Sequence, residues 1–90
     1  MKIVQKIKVR NKLGLHVRPA AMIVKLLQNS RSDIAFSHNR KTINAKSLIN
    51  ILTLEAHRNS NITVTVNGED ADDTMENLVS AFETRFGEKE

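Results

Sequence analysis

The sequence predicts an α+β fold in which helices cover one face of a mostly antiparallel sheet and water covers the other. Strand-like and helix-like segments follow the order βαββαβα along 90 residues, a length that suits one domain over residues 1–90. The segment 61–67 alternates aliphatic residues with threonines, as a strand with one buried face does. Each helical segment carries a single apolar stripe and therefore needs cover on one side only. The order of the elements does not by itself fix the strand pairing.

The chain begins with a predicted strand over residues 2–9, in which Ile3, Ile7 and Val9 share one face, interrupted by Gln5, and Lys6 and Lys8 lie on the other. A turn at 11–14 leads into a helix from about residue 17 to about residue 28. Pro19 fits the first turn of this helix, where backbone N–H groups have no intrahelical acceptor. The apolar residues of the helix recur at helical spacing: Val17, Ala20, Ala21, Ile23, Val24 and Leu27.

Two short strands and a short helix are predicted next. The strands span 33–37 and 41–44, and Asn39-Arg40 resembles a hairpin turn, although it lacks the usual glycine. Ser47 fits a helix N-cap before the apolar run 48–54. That run is also compatible with a buried strand, but the cap and the short loops favour a helix.

The last third predicts a strand, a turn and a helix. After the strand 61–67, the Asn67-Gly68 step indicates a turn, and a helix begins near Asp70. Asp70, Asp72 and Asp73 are interpreted as helix-capping residues rather than calcium ligands, because no EF-hand loop is completed. We expect no metal site. The apolar stripe of the helix, which Gly87 ends, consists of Met75, Leu78, Val79, Phe82 and Phe86.

Composition limits the class of protein. The chain has no cysteine, which fits a reducing cytoplasm, and no segment typical of a signal peptide or a membrane span. The net charge of +4 hides an asymmetry, since residues 1–60 carry 12 basic and 2 acidic residues whereas residues 61–90 carry 2 and 8. The basic portion favours an acidic partner, or is simply solvated surface. Three phenylalanines with no tyrosine or tryptophan make nucleic-acid binding the weaker interpretation.

The run 14–21, Gly-Leu-His-Val-Arg-Pro-Ala-Ala, places His16 and Arg18 at the start of the first helix. Free N–H donors, the positive end of the helix dipole and a guanidinium together predict an anion site. A neutral imidazole has a lone pair that can attack phosphorus, and covalent histidine intermediates are an established route for group transfer. Gly14 permits close backbone approach. An isolated histidine would more often be a plain loop residue, but its neighbours favour a phosphoryl carrier.

Two motifs resemble one family. The run 14–20 resembles the active-site signature of HPr, the histidine-containing phosphocarrier family of the bacterial phosphotransferase system. The run 44–54, Asn-Ala-Lys-Ser-Leu-Ile-Asn-Ile-Leu-Thr-Leu, resembles the regulatory-serine segment of the same family. The resemblance covers essentially the whole chain and implies an open-faced β-sandwich, with a four-stranded antiparallel sheet and three helices on one face. It leaves open whether the chain belongs to the sugar-transport or the nitrogen-related branch. The alternative function is a regulatory module that binds other proteins according to its phosphorylation state, with transport secondary or absent.

The resemblance also implies roles for individual residues. His16 is expected to accept a phosphoryl group on Nδ1 from phospho-enzyme I and to pass it to a histidine of an enzyme IIA domain. Arg18 is expected to stabilise the phosphate charge, and the backbone N–H groups of Val17 and Arg18 to bind its oxygens. Ser47 corresponds to the serine that an ATP-dependent HPr kinase phosphorylates in some bacteria, although a plain helix cap is an equal alternative. Such a protein is a carrier rather than an enzyme; we expect a cytoplasmic monomer without a cofactor.

We expect the partner surface to surround both helix starts. Its apolar patch would consist of Val17, Ala21, Leu48 and Leu52, and its basic rim of Arg18, Lys25 and Lys46. Leu52 fits the core nearly as well. The chain departs from the family pattern at Val17, where alanine or threonine is common, and at Glu55 and Asn59, which stand at or near usual glycines.

Overall fold

A four-stranded antiparallel sheet forms one layer of the molecule. A computed structural model describes all of residues 1–90, and its strands are β1 (Lys2–Lys8), β2 (Asp33–His38), β3 (Lys41–Asn44) and β4 (Asn61–Asn67). They lie in the order β1-β4-β2-β3, and every neighbouring pair is antiparallel. The expected sheet is confirmed, and its pairing places the last strand, β4, between β1 and β2.

Three helices cover one face of this sheet: α1 (Val17–Leu27), α2 (Leu48–Thr53) and α3 (Ala71–Glu83). The apolar residues of β4 are fully buried, whereas its threonines point to the other, open face. One continuous core of 21 buried residues joins sheet and helices. Burial of these alternating side chains fixes the register, because a shift by one residue would turn the apolar set toward water. No helix has the length and apolar character needed to cross a membrane.

The short elements follow local chemistry. Asn39 and Arg40 both have positive φ, 49° and 64°, as the two central residues of a type I′ hairpin turn do. The segment after Ser47 is a helix, so the alternative of a buried strand is wrong. Its N-cap serine accepts a hydrogen bond from the N–H of Asn50 at 3.3 Å.

The end of α3 differs from the sequence prediction. The helix stops at Glu83, and a 3₁₀ turn, Arg85–Gly87, follows it. Arg85 and Phe86 have φ of 55° and 53°, so the chain leaves the helical path before Gly87. Phe86 is buried as predicted, but it reaches the core from this turn, where its ring contacts Phe82 edge-on at a centroid distance of 4.9 Å. Helical spacing alone hides such a turn, because the core position is filled either way.

Asp70 does not cap α3 with its side chain, contrary to the prediction. The residue stands at the N-cap of α3, but its side chain makes no cap hydrogen bond. Its carboxylate accepts instead from the hydroxyls of Ser30 and Ser32 and from the N–H of Arg31, at 2.9 Å in the last case. Asp70 therefore fastens the start of α3 to the loop that follows α1.

Candidate functional site

A tight loop delivers His16 to the start of α1. Gly14 lies in the left-handed region, with φ of 68°, and a Cβ there would collide with the carbonyl oxygen of Ala56. The neighbouring N–H of Leu15 donates to that same oxygen at 2.9 Å. Only glycine permits this approach of two backbones. The loop is thus tied to the segment after α2, and the position of His16 is set by backbone rather than by flexible side chains.

The first backbone N–H groups of α1 are unpaired. The first intrahelical bond runs from the N–H of Ala20 to the carbonyl of His16, at 3.0 Å. The N–H groups of Val17 and Arg18 have no acceptor in the protein, and Pro19 has no N–H. His16 occupies the N-cap without a side-chain cap bond. These two N–H groups are free to bind an anion.

The two ring nitrogens of His16 differ in their surroundings. Nε2 lies 3.0 Å from Oε2 and 3.2 Å from Oε1 of Glu88, whereas Nδ1 has no hydrogen-bond partner. The histidine side chain is 31% exposed and the glutamate side chain 12% exposed. A carboxylate accepts hydrogen bonds, so this contact places the ring proton on Nε2 and leaves the lone pair on Nδ1. The ring is held from one side and open on the other.

Asn11 fixes the glutamate in turn. This residue is fully buried, and its Nδ2 donates to Oε1 of Glu88 and, at 2.9 Å, to the carbonyl of Arg85. Burial raises the pKa of the Glu88 carboxyl, but the Asn11 amide, the His16 ring and the charge of Arg18 together hold that pKa below its ordinary value. Glu88 is therefore ionised near neutral pH.

Arg18 is exposed and makes no hydrogen bond or ion pair of its own. It borders a surface cleft of about 620 Å³ together with Leu13 and Glu88. Because nothing in the protein occupies the guanidinium, its five donors remain available to the oxygens of an incoming phosphate.

The structure brings some members of the predicted partner surface to His16. Val17 is 60% exposed and Ala21 is also exposed. The β-branched side chain of Val17, where the resemblance leads us to expect alanine or threonine, therefore points into solvent. Leu52 lines a depression of about 430 Å³ that includes His16. It is half-buried, as is Leu48, and both pack against the core. Ser47 is half-buried at the start of α2, which packs against α1.

The basic rim is more scattered than the sequence suggested. Lys25 is exposed in the last turn of α1, the end opposite His16. The ammonium of Lys46 donates to the carbonyl of Ser30 at 2.9 Å, beyond that same end. Arg18 is thus the member of the proposed rim that borders the histidine.

Sequence reasoning missed several residues of the site and its surface. Glu88 and Asn11 lie 72 and five positions from His16, and no spacing rule links the glutamate to the motif. Ile49 is 72% exposed and is the most exposed apolar residue of α2. Leu48 and Ile51 are three positions apart and face the core, so helical spacing places Ile49 away from the core. This spacing could have predicted its exposure. Leu13 and Met22 are exposed as well.

Comparison with known proteins agrees with this geometry. The family model described as "PTS HPr component phosphorylation site" matches residues 3–84. The phosphocarrier protein HPr of Chlamydia muridarum is 42% identical over 80 residues, which cover 89% of this chain and 77% of that protein. A crystal structure of HPr from Thermoanaerobacter tengcongensis has a TM-score of 0.93 at 32% identity and covers 98% of this chain and 99% of that one. HPr from Bacillus anthracis gives a TM-score of 0.85 at 34% identity, over 90% of this chain and 96% of that one.

The matched span includes the histidine loop, all three helices and all of the sheet except Lys2, the first residue of β1. Family and fold therefore agree over nearly the full length of the molecule. The chain belongs to the HPr family, the phosphocarrier proteins of the phosphotransferase system.

Proposed function

We propose that His16 carries the phosphoryl group and that Nδ1 is the atom that bears it. The observation that supports this most is the asymmetry of the ring, with Nε2 bound to Glu88 and Nδ1 free. In the transfer, the Nδ1 lone pair forms a bond to phosphorus while the bond between phosphorus and the donor atom of phospho-enzyme I breaks. The electron pair of the broken bond stays with the donor, and the Nε2 proton stays on the ring. The reverse sequence at an enzyme IIA domain regenerates free His16.

Arg18 and the start of α1 supply the electrostatics of this transfer. The phosphoryl group carries its charge on three oxygens, and catalysis depends on positioned donors rather than on covalent help from the protein. The unpaired N–H groups of Val17 and Arg18 and the free guanidinium are such donors. They need no rearrangement to receive the group, because no protein acceptor occupies them.

The partner surface combines charge with an apolar patch. Val17 follows His16 in the chain, and Leu52 lines the same depression as His16. Ala21 on α1 and Ile49 on α2 are exposed apolar residues. A small exposed apolar patch rimmed by charge is typical of a transient docking site. Enzyme I and the enzyme IIA domains would dock here in turn, with Leu48 and Lys25 at the periphery. The carrier would act as a monomer, because enzyme I and the enzyme IIA domains need the same face, and the lack of cysteine fits a cytoplasmic location.

Transfer is tested with purified enzyme I and phosphoenolpyruvate. We expect an acid-labile mass gain of one phosphate in the wild type, none in His16→Ala, and an unchanged gain in His38→Ala, which removes a histidine of β2. Equal labelling of His16→Ala, or no labelling of the wild type, would refute the proposal. The same sample, mixed with individual enzyme IIA domains, identifies those that accept the group.

A second proposal concerns regulation at Ser47. The Ser47 hydroxyl stands at the start of α2, and α2 packs against α1. A phosphate there would add negative charge to the surface on which an acidic partner would dock. We expect an HPr kinase with ATP to label the wild type and Ser80→Ala but not Ser47→Ala, Ser80 being an exposed serine of α3. Label that persists in Ser47→Ala would reject this site.

A further inference from the structure

The outer edge of β1 has unpaired backbone groups. β1 lies at the end of the sheet, with β4 as its one neighbour. Met1 and Val9, which flank β1, both bond toward β4: the Met1 carbonyl accepts from the Gly68 N–H, and the Val9 N–H donates to the Ser60 carbonyl, each at 2.8 Å. Because the backbone groups of an antiparallel strand face inward and outward at alternate residues, the odd-numbered residues face β4 and the even-numbered ones face away from the sheet. Nothing else in the protein bonds to the backbone of these outward residues, Lys2, Val4, Lys6 and Lys8.

A groove lies between this edge and α3, which packs against β1. The β1 groove consists of two adjoining depressions, of about 410 and 160 Å³, which share Gln5, Val79 and Glu83 as lining residues. Gln5 is exposed on the helix-facing side of β1, where Ile3 is half-buried and Ile7 is buried. The apolar floor of the groove consists of Ile3, Ile7, Met75, Val79 and Phe82. Every second side chain of a strand added at this edge would point into the groove.

The two faces of the edge carry opposite charge. The exposed residues on the open face of β1 are Lys2, Val4, Lys6 and Lys8. The one carboxylate on that face of the sheet, Asp33, lies two strands from Lys2, because Asn67 pairs with both. The carboxylates of α3 that line the β1 groove are exposed, and they are Asp72, Glu76 and Glu83. A strand that fits this edge therefore has acidic side chains on one face and apolar or basic ones on the other.

The same features argue against two other occupants. A second copy of the chain, paired through its own β1, would bring the lysines of both strands onto one face of the joint sheet, where like charges destabilise a strand pair. A single-stranded nucleic acid would find no aromatic ring to stack on, since all three phenylalanines are buried. An acidic polypeptide, in contrast, complements both the lysines and the free backbone groups.

We propose that the edge of β1 binds an extended acidic segment of a partner protein by strand addition. The segment becomes a fifth strand: its backbone bonds to the even-numbered residues of β1, its carboxylates lie beside the lysines, and its alternate side chains enter the β1 groove. No residue of the β1 groove lines the cleft at Arg18 or the depression at His16. The inference thus goes beyond the proposed function and does not depend on it.

The test uses a peptide designed for this edge, acetyl-Glu-Thr-Glu-Leu-Val-Lys-Glu-amide. Paired antiparallel with residues 8 to 2 of β1, it sets its glutamates beside the three lysines and its valine beside Val4. Its threonine, leucine and lysine then face the β1 groove and the carboxylates of α3. One control peptide has glutamine for each glutamate. A second has proline for the valine, which removes an N–H that faces β1.

Amide NMR of the full chain measures both binding and strand formation. The peptide should bind with a Kd of about 0.1–1 mM, the order expected for a few backbone bonds and exposed charge pairs. The amide protons of Val4, Lys6 and Lys8 should exchange with solvent about tenfold more slowly at ~90% saturation, because only the unbound fraction exchanges. Each control peptide should bind about fivefold more weakly.

Charge reversal tests the lysines. Lys6→Glu should weaken binding of the peptide about tenfold, and a peptide with lysine for its second glutamate should bind this variant better than it binds the wild type. Lys41→Glu reverses an exposed charge on β3, the opposite edge strand, and as the matched control should bind the peptide within about twofold of the wild type. A titration of His16→Ala tests the edge in the absence of phosphoryl transfer and should give the wild-type Kd.

The outcomes separate strand addition from its alternatives. Absence of binding at about 5 mM peptide, or equal binding of the glutamine peptide, overturns the inference. Shifted amides whose exchange stays fast would show charge attraction without strand addition and also count against it. Slow exchange that rises with the concentration of the protein alone would make a second copy the occupant, and tighter binding of poly-uridylate RNA to the same residues would make the edge a nucleic-acid surface. Thermal unfolding verifies the fold of Lys6→Glu; if that variant is unfolded, the control peptides on the wild type decide.

Discussion

At the scale of single residues, the site depends on which groups are occupied and which are free. Nε2 of His16 is bound to Glu88 and Nδ1 is unbound, while Arg18 is exposed without a partner. Sequence spacing predicts His16 and Arg18 as site residues, because both lie within one short motif whose chemistry is local. It could not predict that Glu88 lies beside them, because a turn of three left-handed residues, Arg85, Phe86 and Gly87, brings that carboxylate back to the motif.

Arg18 permits the first prediction. Arg18→Ala should slow transfer from phospho-enzyme I by about 10- to 100-fold, since it removes a charged phosphate donor worth about 1.5–3 kcal/mol. The free energy of unfolding should change by less than about 0.5 kcal/mol, because the exposed guanidinium makes no bond in the resting protein. Stopped-flow transfer assays and urea unfolding measure the two quantities.

The matched control is Lys6→Ala, which removes one positive charge from the open face of the sheet. It should leave the transfer rate within about twofold of the wild type. If Lys6→Ala and Arg18→Ala slow transfer equally, the effect belongs to net charge rather than to the phosphate site.

At the scale of elements, backbone positions with positive φ show where pattern-based boundaries fail. Glu55 and Asn59, which the resemblance leads us to expect at or near usual glycines, have φ of 50° and 73°. Glu55 immediately follows the C-cap of α2, the position at which helices commonly end in the left-handed region. Helix and strand cores were predicted correctly from period and capping, whereas the end of α3 was not, because the left-handed turn begins at Arg85, two residues before Gly87.

Glu55 gives a prediction at this scale. Glu55→Gly should raise the free energy of unfolding by about 0.5–1 kcal/mol, because relief of the left-handed strain outweighs the greater backbone entropy of the unfolded chain. Glu55→Ala, which keeps a Cβ at the same φ, is the control and should give no gain. Urea denaturation compares the three proteins, and an equal change in both variants would attribute the effect to loss of the carboxylate instead of to φ.

At the scale of the whole molecule, the charge asymmetry of the sequence is partly cancelled by contacts between the two portions. Glu88 lies against His16, Glu69 pairs with the Arg31 guanidinium at 3.0 Å, and the Asp70 carboxylate accepts from the backbone N–H of Arg31. Asp72, Asp73, Glu76 and Glu83 of α3 are exposed, so part of the acidic last third remains as surface on that helix. Composition could show the imbalance but not these pairings, which join positions 38 to 72 residues apart through the packing of α3.

Asp70 gives a prediction about the pH dependence of stability. The hydroxyl of Ser32, the N–H of Arg31 and the hydroxyl of Ser30 lower the pKa of Asp70 from 3.8 to about 2, despite the opposing effect of burial. A carboxyl whose pKa is lower in the folded than in the unfolded state stabilises the fold above the unfolded value, and that contribution disappears as pH falls through the folded value. The stability due to Asp70 should therefore be complete above pH 3.8 and lost progressively toward pH 2.

Urea unfolding between these two pH values measures the contribution of Asp70. The free energy of unfolding should fall more steeply in the wild type than in Asp70→Asn, which cannot ionise. The control Asp72→Asn, at an exposed site in the first turn of α3, should follow the wild type. Parallel curves for the wild type and Asp70→Asn would show that the loop after α1 is held by packing rather than by the ionised carboxylate.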